Sequence, residues 1–184
     1  MLEKEEQSIS NGSRNIQAGG NVDNSKNYFY YYRPEYITFY EQDIFQLIEE
    51  LNSNLDLFDD QENSSDDKEF DNVDKTIKNR LNNLSEEYFD EICEGFLPFF
   101  YKIDAFLTAP QNKKIMITYR KIACQLKASI AANRKKYNYF EEILDDIVKK
   151  IVQAVKDEER NIDVGLVVIF LNYMYWNCDI GRRK

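Results

Sequence analysis

The most regular hydrophobic pattern in the chain lies at residues 140–155, FEEILDDIVKKIVQAV. Apolar residues recur there every three or four positions, and acids and lysines occupy most of the positions between them. This spacing places the apolar side chains on one face of an α-helix. Asn138 and Glu141 have the spacing of an N-terminal capping box, so we predict that the helix begins directly after Asn138.

A second periodic stretch lies nearer the N-terminus. Ile37, Ile44, Leu51 and Phe58 recur every seven residues, with further apolar residues beside them. We therefore predict one long amphipathic helix from about Pro34 to Phe58.

The rest of the chain also has helical spacing. A short helix is predicted near residues 71–84, followed by one that Ser85 caps and that Gly95 and Pro98 interrupt. Another helix is predicted over residues 115–130.

The segment at residues 164–176 is apolar almost all round. Periodicity alone allows a buried helix or a buried strand there. We predict a helix, because the bundle offers no evident partner strand.

The fold class predicted from these patterns is all-α, since 6 glycines and 3 prolines are too few for a turn-rich β fold. We expect a flexible or extended leader at 1–27, an aromatic segment and amphipathic helix at 28–58, an acidic linker at 59–71 and a helical bundle at 72–184.

The residue types present argue against an enzyme. Histidine is absent, which removes the most usual general base and a frequent metal ligand. Three separated cysteines (Cys93, Cys124 and Cys178) fit neither a disulfide framework nor a zinc site. Acids such as Asp145 precede lysines by one helical turn, which is typical of solvated ion pairs. We therefore expect no catalytic, cofactor-binding or metal-binding residues.

The N-terminal residues are charged, and the longest apolar stretch is shorter than the roughly 20 residues that span a bilayer. We therefore expect a cytoplasmic protein with no membrane contact.

Charge is strongly segregated along the chain. Between Glu35 and Asp74 there are 14 acidic residues and one basic residue, whereas residues 113–136 contain eight basic residues and no acidic ones. Lys113, Arg120, Lys127 and Arg134 recur every seven residues and should form one helical stripe. The stripe suits phosphates or an acidic protein surface. The alternatives are a solvated face, or a face that meets the chain's own acidic helix.

Two aromatic clusters are candidate protein interfaces, because tyrosine and tryptophan are enriched at such surfaces. The first contains Tyr30, Tyr31 and Tyr32. The second contains Tyr173, Tyr175 and Trp176, followed by Asp179. Core packing is the alternative for the second cluster.

Several stretches resemble the C-terminal domains of bacterial ABC-three-component systems. They are NIQAGGNV at 15–22, YYYRP at 30–34, FYE at 39–41, LSEEYF at 84–89, FFYKID at 99–104 and, most specifically, FLNYMYWNCDIG at 170–181. The resemblance implies a place in a defence operon, beside an ABC ATPase of the SMC-like type and an effector. Since only the leader precedes the helical module, it implies an adaptor or middle component.

Three functional hypotheses follow. The first is a non-enzymatic adaptor that links an ABC ATPase and an effector subunit. The alternative is a small antitoxin or immunity-type protein whose acidic segment covers a partner enzyme's basic site. The third is an indirect DNA contact through the basic stripe.

Overall fold

The computed structural model describes residues 38–58, 74–93, 95–158 and 161–182. The predicted leader, the predicted acidic linker and the tyrosine cluster Tyr30 to Tyr32 lie outside the described residues. No strand occurs within the described ranges, and the predicted all-α class is confirmed.

Seven α-helices are formed by the described residues. They are α1 (Glu41–Ser53), α2 (Lys75–Asn82), α3 (Glu86–Tyr88), α4 (Leu97–Thr108), α5 (Lys113–Asn133), α6 (Phe140–Asp157) and α7 (Val164–Trp176). Single 3₁₀ turns follow α1, α4 and α5, at Leu55–Phe58, Pro110–Asn112 and Arg134–Lys136.

Helix α7 lies at the centre of the bundle. Every residue from Gly165 to Tyr175 is buried, and α1, α4 and α6 pack around the helix. A helix that is apolar on all sides is stable in water only when other elements cover it. Asp163 caps its N-terminus by accepting hydrogen bonds from the backbone N–H groups of Gly165 and Leu166. The predicted helix over these residues is confirmed.

The N-terminal helix is shorter than the predicted span from Pro34 to Phe58. Residues 38–40 lie outside the helix with Tyr40 extended, α1 begins at Glu41, and a 3₁₀ turn rather than α-helix completes the segment. The predicted residues 34–37 lie outside the described part of the chain.

Packing at Phe39 explains the late start of α1. The Phe39 ring is buried 5.5 Å from the Phe99 ring, and its carbonyl accepts a hydrogen bond from the Lys102 ammonium. The Asp43 carboxylate then accepts the Tyr40 backbone N–H at 2.6 Å and caps the helix. Tertiary contacts therefore hold residues 38–40 outside the helix, where the seven-residue pattern favoured a helix.

Helix α6 begins one residue later than predicted. The side chain of Glu142, not that of Glu141, caps it by accepting the backbone N–H groups of Asn138 and Tyr139 at 2.9 and 3.2 Å. Glu141 instead accepts the backbone N–H of Ser85 at 3.4 Å. The predicted capping box is therefore displaced by one residue, because Glu141 contacts another element.

The predicted interruption near Gly95 is confirmed. After α3, residues Phe89–Cys93 form a π-helical turn, and α4 begins at Leu97 with Pro98 in its first turn. Proline is accepted there because the first N–H groups of a helix have no intrahelical partner. The buried apolar side chains of α1 and α3 to α7 then form one hydrophobic core.

Candidate interaction surfaces

The C-terminal aromatic cluster lies mostly inside the bundle. The exposed fractions of Tyr173, Tyr175 and Asp179 are 3%, 1% and 5%. Trp176 is half-buried between the rings of Phe89 and Phe100, each with its centroid 5.8 Å away. In this conformation the cluster contacts its own chain, which is the core-packing alternative of the sequence analysis.

Asp179 joins the loop after α7 to helix α5. Its carboxylate accepts hydrogen bonds from the Tyr119 hydroxyl and, at 3.0 Å, from the Asn177 amide. Burial raises the pKa of Tyr119 well above its usual value, and the neighbouring negative charge of Asp179 raises it further. Tyr119 therefore remains a neutral hydrogen-bond donor.

Three other polar side chains of α7 form hydrogen bonds with side chains of neighbouring helices. Asn172 accepts the Tyr88 hydroxyl at 3.0 Å. The Tyr173 hydroxyl donates to Asp104 at 3.1 Å, and the Tyr175 hydroxyl donates to Asn79 at 3.0 Å. Because buried polar groups without partners are costly, these bonds fix which helix lies on each side of α7.

Helix α2 covers the C-terminal end of α7. The buried Lys78 ammonium donates to the Tyr175 carbonyl and lies 3.7 Å from the centre of the Tyr175 ring. The Asn82 amide donates to the Arg182 carbonyl at 2.9 Å, and its oxygen accepts the Arg182 N–H at 2.7 Å. A positive charge at this end is favourable, because the last carbonyls of a helix carry partial negative charge.

Gly181 allows this close approach. Its φ is +81°, and an added Cβ would lie 3.1 Å from both the Asn82 side-chain oxygen and the Tyr175 ring. Another residue would therefore be strained and crowded there.

The predicted basic stripe is divided by the structure. Lys113, Arg120 and Lys127 are exposed on α5. Arg134 follows the end of the helix, and its guanidinium donates to the backbone carbonyls of Asn82 and Tyr137, at 2.7 Å each. Three of the four predicted residues thus share a solvent-exposed face, whereas Arg134 binds the chain's own backbone.

A family model for C-terminal domain 12 of the ABC-three component systems matches residues 34–181. The chain belongs to this family. Neither a curated protein nor a solved structure matches the sequence significantly. The matched region contains all of the contacts just described except those to Arg182. The CTD12 domain is a component of ABC-three component systems. Membership in a multi-component system implies protein partners.

Two acids of α6 in the CTD12 domain form ion pairs with lysines of the same helix. Lys149 lies 2.5 Å from Asp145, and Lys150 lies 3.1 Å from Asp146. The predicted spacing of one turn is confirmed for both pairs, but only the Asp146 pair is solvated as predicted, because Asp145 is buried with an exposed fraction of 6%. Within the described ranges, no three acidic or cysteine side chains are grouped as metal ligands would be, and no helix has the length and apolarity to cross a membrane.

Sequence reasoning missed the role of α2 in the CTD12 domain. Lys78, Asn79 and Asn82 lie on one face of this helix and all bind α7 or the loop that follows it. The three- and four-residue spacing of these residues was the available signal. This pattern is polar, whereas amphipathic helices are recognised by the spacing of their apolar residues.

Proposed function

We propose that this chain is a non-enzymatic adaptor of a bacterial defence complex and links an ABC ATPase to an effector subunit in the cytoplasm. The observation on which this proposal depends is the match to the CTD12 family over residues 34–181. A domain of a multi-component system has to bind at least one other subunit, and a compact helical core is suited to presenting rigid helix faces.

The exposed basic face of α5 supports the proposal. It provides Lys113, Arg120 and Lys127 in one row on the longest helix of the described residues. Charged rows of this kind steer association and select partners more than they stabilise a fold.

A second candidate function is an antitoxin or immunity-type protein. The 14 acidic residues between Glu35 and Asp74 favour it, because such a segment is complementary to a basic active site. This function requires a partner that is toxic when it is produced alone.

The adaptor role is tested by co-expressing the chain with the other two components of its system. A tag on the ATPase should recover the effector only when this chain is present. Recovery of the effector without this chain would contradict the adaptor role, and a complex that excludes this chain would end the proposal. Toxicity of one component alone, suppressed by this chain, would favour the antitoxin function.

A further inference from the structure

The exposed face of α5 contains an apolar line as well as basic residues. Ile117, Cys124 and Ala131 recur every seven residues and are all exposed, with Ala128 beside them. The exposed fraction of Ile117 is 68%, which is high for a large aliphatic side chain. We call Ile117, Cys124, Ala128 and Ala131 the α5 line.

Basic residues flank the α5 line on both sides. Arg120 and Lys127 lie three residues after Ile117 and Cys124, and Lys114 and Lys121 lie three residues before them. At 100° per residue these offsets fall on opposite sides of the line. All four basic side chains are exposed, and none forms an ion pair with an acidic residue in the described part of the chain.

This arrangement matches one half of a helix-pairing surface. In paired helices an apolar seam with a seven-residue repeat is flanked by charged residues, which choose the partner through charges of opposite sign. The small side chains of Cys124, Ala128 and Ala131 would let a second helix approach to about 8 Å between axes. The line extends over residues 117–131, or about 21 Å at 1.5 Å per residue.

The charges of this surface indicate which kind of molecule would bind it. A second copy of the same face would oppose basic residues to basic residues, which is unfavourable. Nucleic acid would use the basic rows but not the apolar line, and the net charge of −9 on the chain would oppose it. An amphipathic helix with acids on both sides of its apolar stripe satisfies both features.

We propose that the α5 line and its basic rows bind an acid-flanked amphipathic helix of a partner subunit. The inference rests on the proposed function and specifies the surface through which it operates. It assigns Arg120, Lys127, Lys114 and Lys121 to partner selection and Ile117 to the apolar contact.

The first test uses the full chain and a designed helical peptide. The peptide has leucine at its seam positions and glutamate at the flanking positions, and a matched peptide has lysine in place of glutamate. We expect the acidic peptide to bind and Arg120→Glu with Lys127→Glu to weaken binding by about ten-fold or more. The control, Arg80→Glu with Lys156→Glu, makes the same charge change on exposed residues of α2 and α6 and should weaken binding less than about two-fold.

Cys124 provides a readout in the unsubstituted chain, so the test does not depend on the folding of a variant. Its thiol is exposed on the line, and the acidic peptide should slow its alkylation, measured by peptide-resolved mass spectrometry. Equal binding of both peptides, or unchanged alkylation of Cys124, would overturn the proposal. The proposal would also be overturned if the chain bound a 20-base-pair DNA duplex through the same residues and did not prefer the acidic peptide to the lysine peptide.

The co-expressed complex separates this inference from the proposed function. If the unsubstituted chain joins the complex and the Arg120→Glu, Lys127→Glu variant joins it equally well, the inference fails and the adaptor role stands. If the unsubstituted chain joins no complex, the adaptor role itself fails.

Discussion

At the scale of single residues, the C-terminal motif provides internal hydrogen bonds. Tyr119 and Asp179 are both buried, and their bond joins α5 to the loop after α7. A buried hydroxyl or carboxylate without a partner costs about 1–3 kcal/mol or more. The polar tips of this aromatic motif therefore restrict how the helices can pack, in addition to filling the core.

Tyr137 gives a prediction about pH. Partial burial, a 2.8 Å hydrogen bond to Asp146 and the Asp146 charge raise its pKa to about 12. An unfolded tyrosine loses its proton near pH 10. The contribution of this group to stability is therefore complete below pH 10 and is lost between about pH 10 and 12, because the unfolded state releases its proton first.

The measurement is the urea midpoint of unfolding at pH 8, 10 and 11. The midpoint of the unsubstituted chain should fall more steeply above pH 10 than that of Tyr137→Phe, which has no hydroxyl to titrate. Tyr119 and Tyr173 also have raised pKa values, and they lower the midpoint above pH 10 equally in the unsubstituted chain and in Tyr137→Phe. The difference in midpoint between the two proteins therefore reports Tyr137 alone. Parallel curves would contradict the assignment.

At the scale of elements, α2 holds the end of α7 through Lys78. A hydrogen bond to a charged group contributes about 1.5–3 kcal/mol. We expect Lys78→Met, which keeps most of the side-chain volume, to lower the free energy of unfolding by about that amount in urea titrations. Lys156→Met, on the exposed side of α6, should change it by less than about 0.5 kcal/mol. Equal effects of the two substitutions would show that the bond to the Tyr175 carbonyl is unimportant.

At the scale of the whole molecule, one hydrophobic core joins helices α1 and α3 to α7. The single tryptophan, Trp176, lies at the end of the central helix and packs on Phe89 and Phe100. A single cooperative core should lose its helices and its tertiary packing together. We therefore expect urea transitions followed by Trp176 fluorescence and by far-ultraviolet circular dichroism to coincide. A lower midpoint by circular dichroism would indicate that α1 or α6 unfolds separately.

The sequence by itself determined the helical class and most helix positions, including α5, α6, α7 and the break at Pro98. Such features depend on local spacing and backbone chemistry, which residues close together in the sequence determine. The seven-residue spacing of the basic residues likewise places Lys113, Arg120 and Lys127 on one side of α5 without reference to any tertiary contact.

Only the tertiary structure decided what each face meets. Tyr173 and Tyr175 have the composition of an interface, yet surrounding helices bury them. Arg134 continues the basic spacing, yet α5 ends at Asn133 and the arginine binds backbone carbonyls. The physical reason is that periodicity specifies the direction of a side chain relative to its own helix, whereas burial depends on which distant segments pack against it.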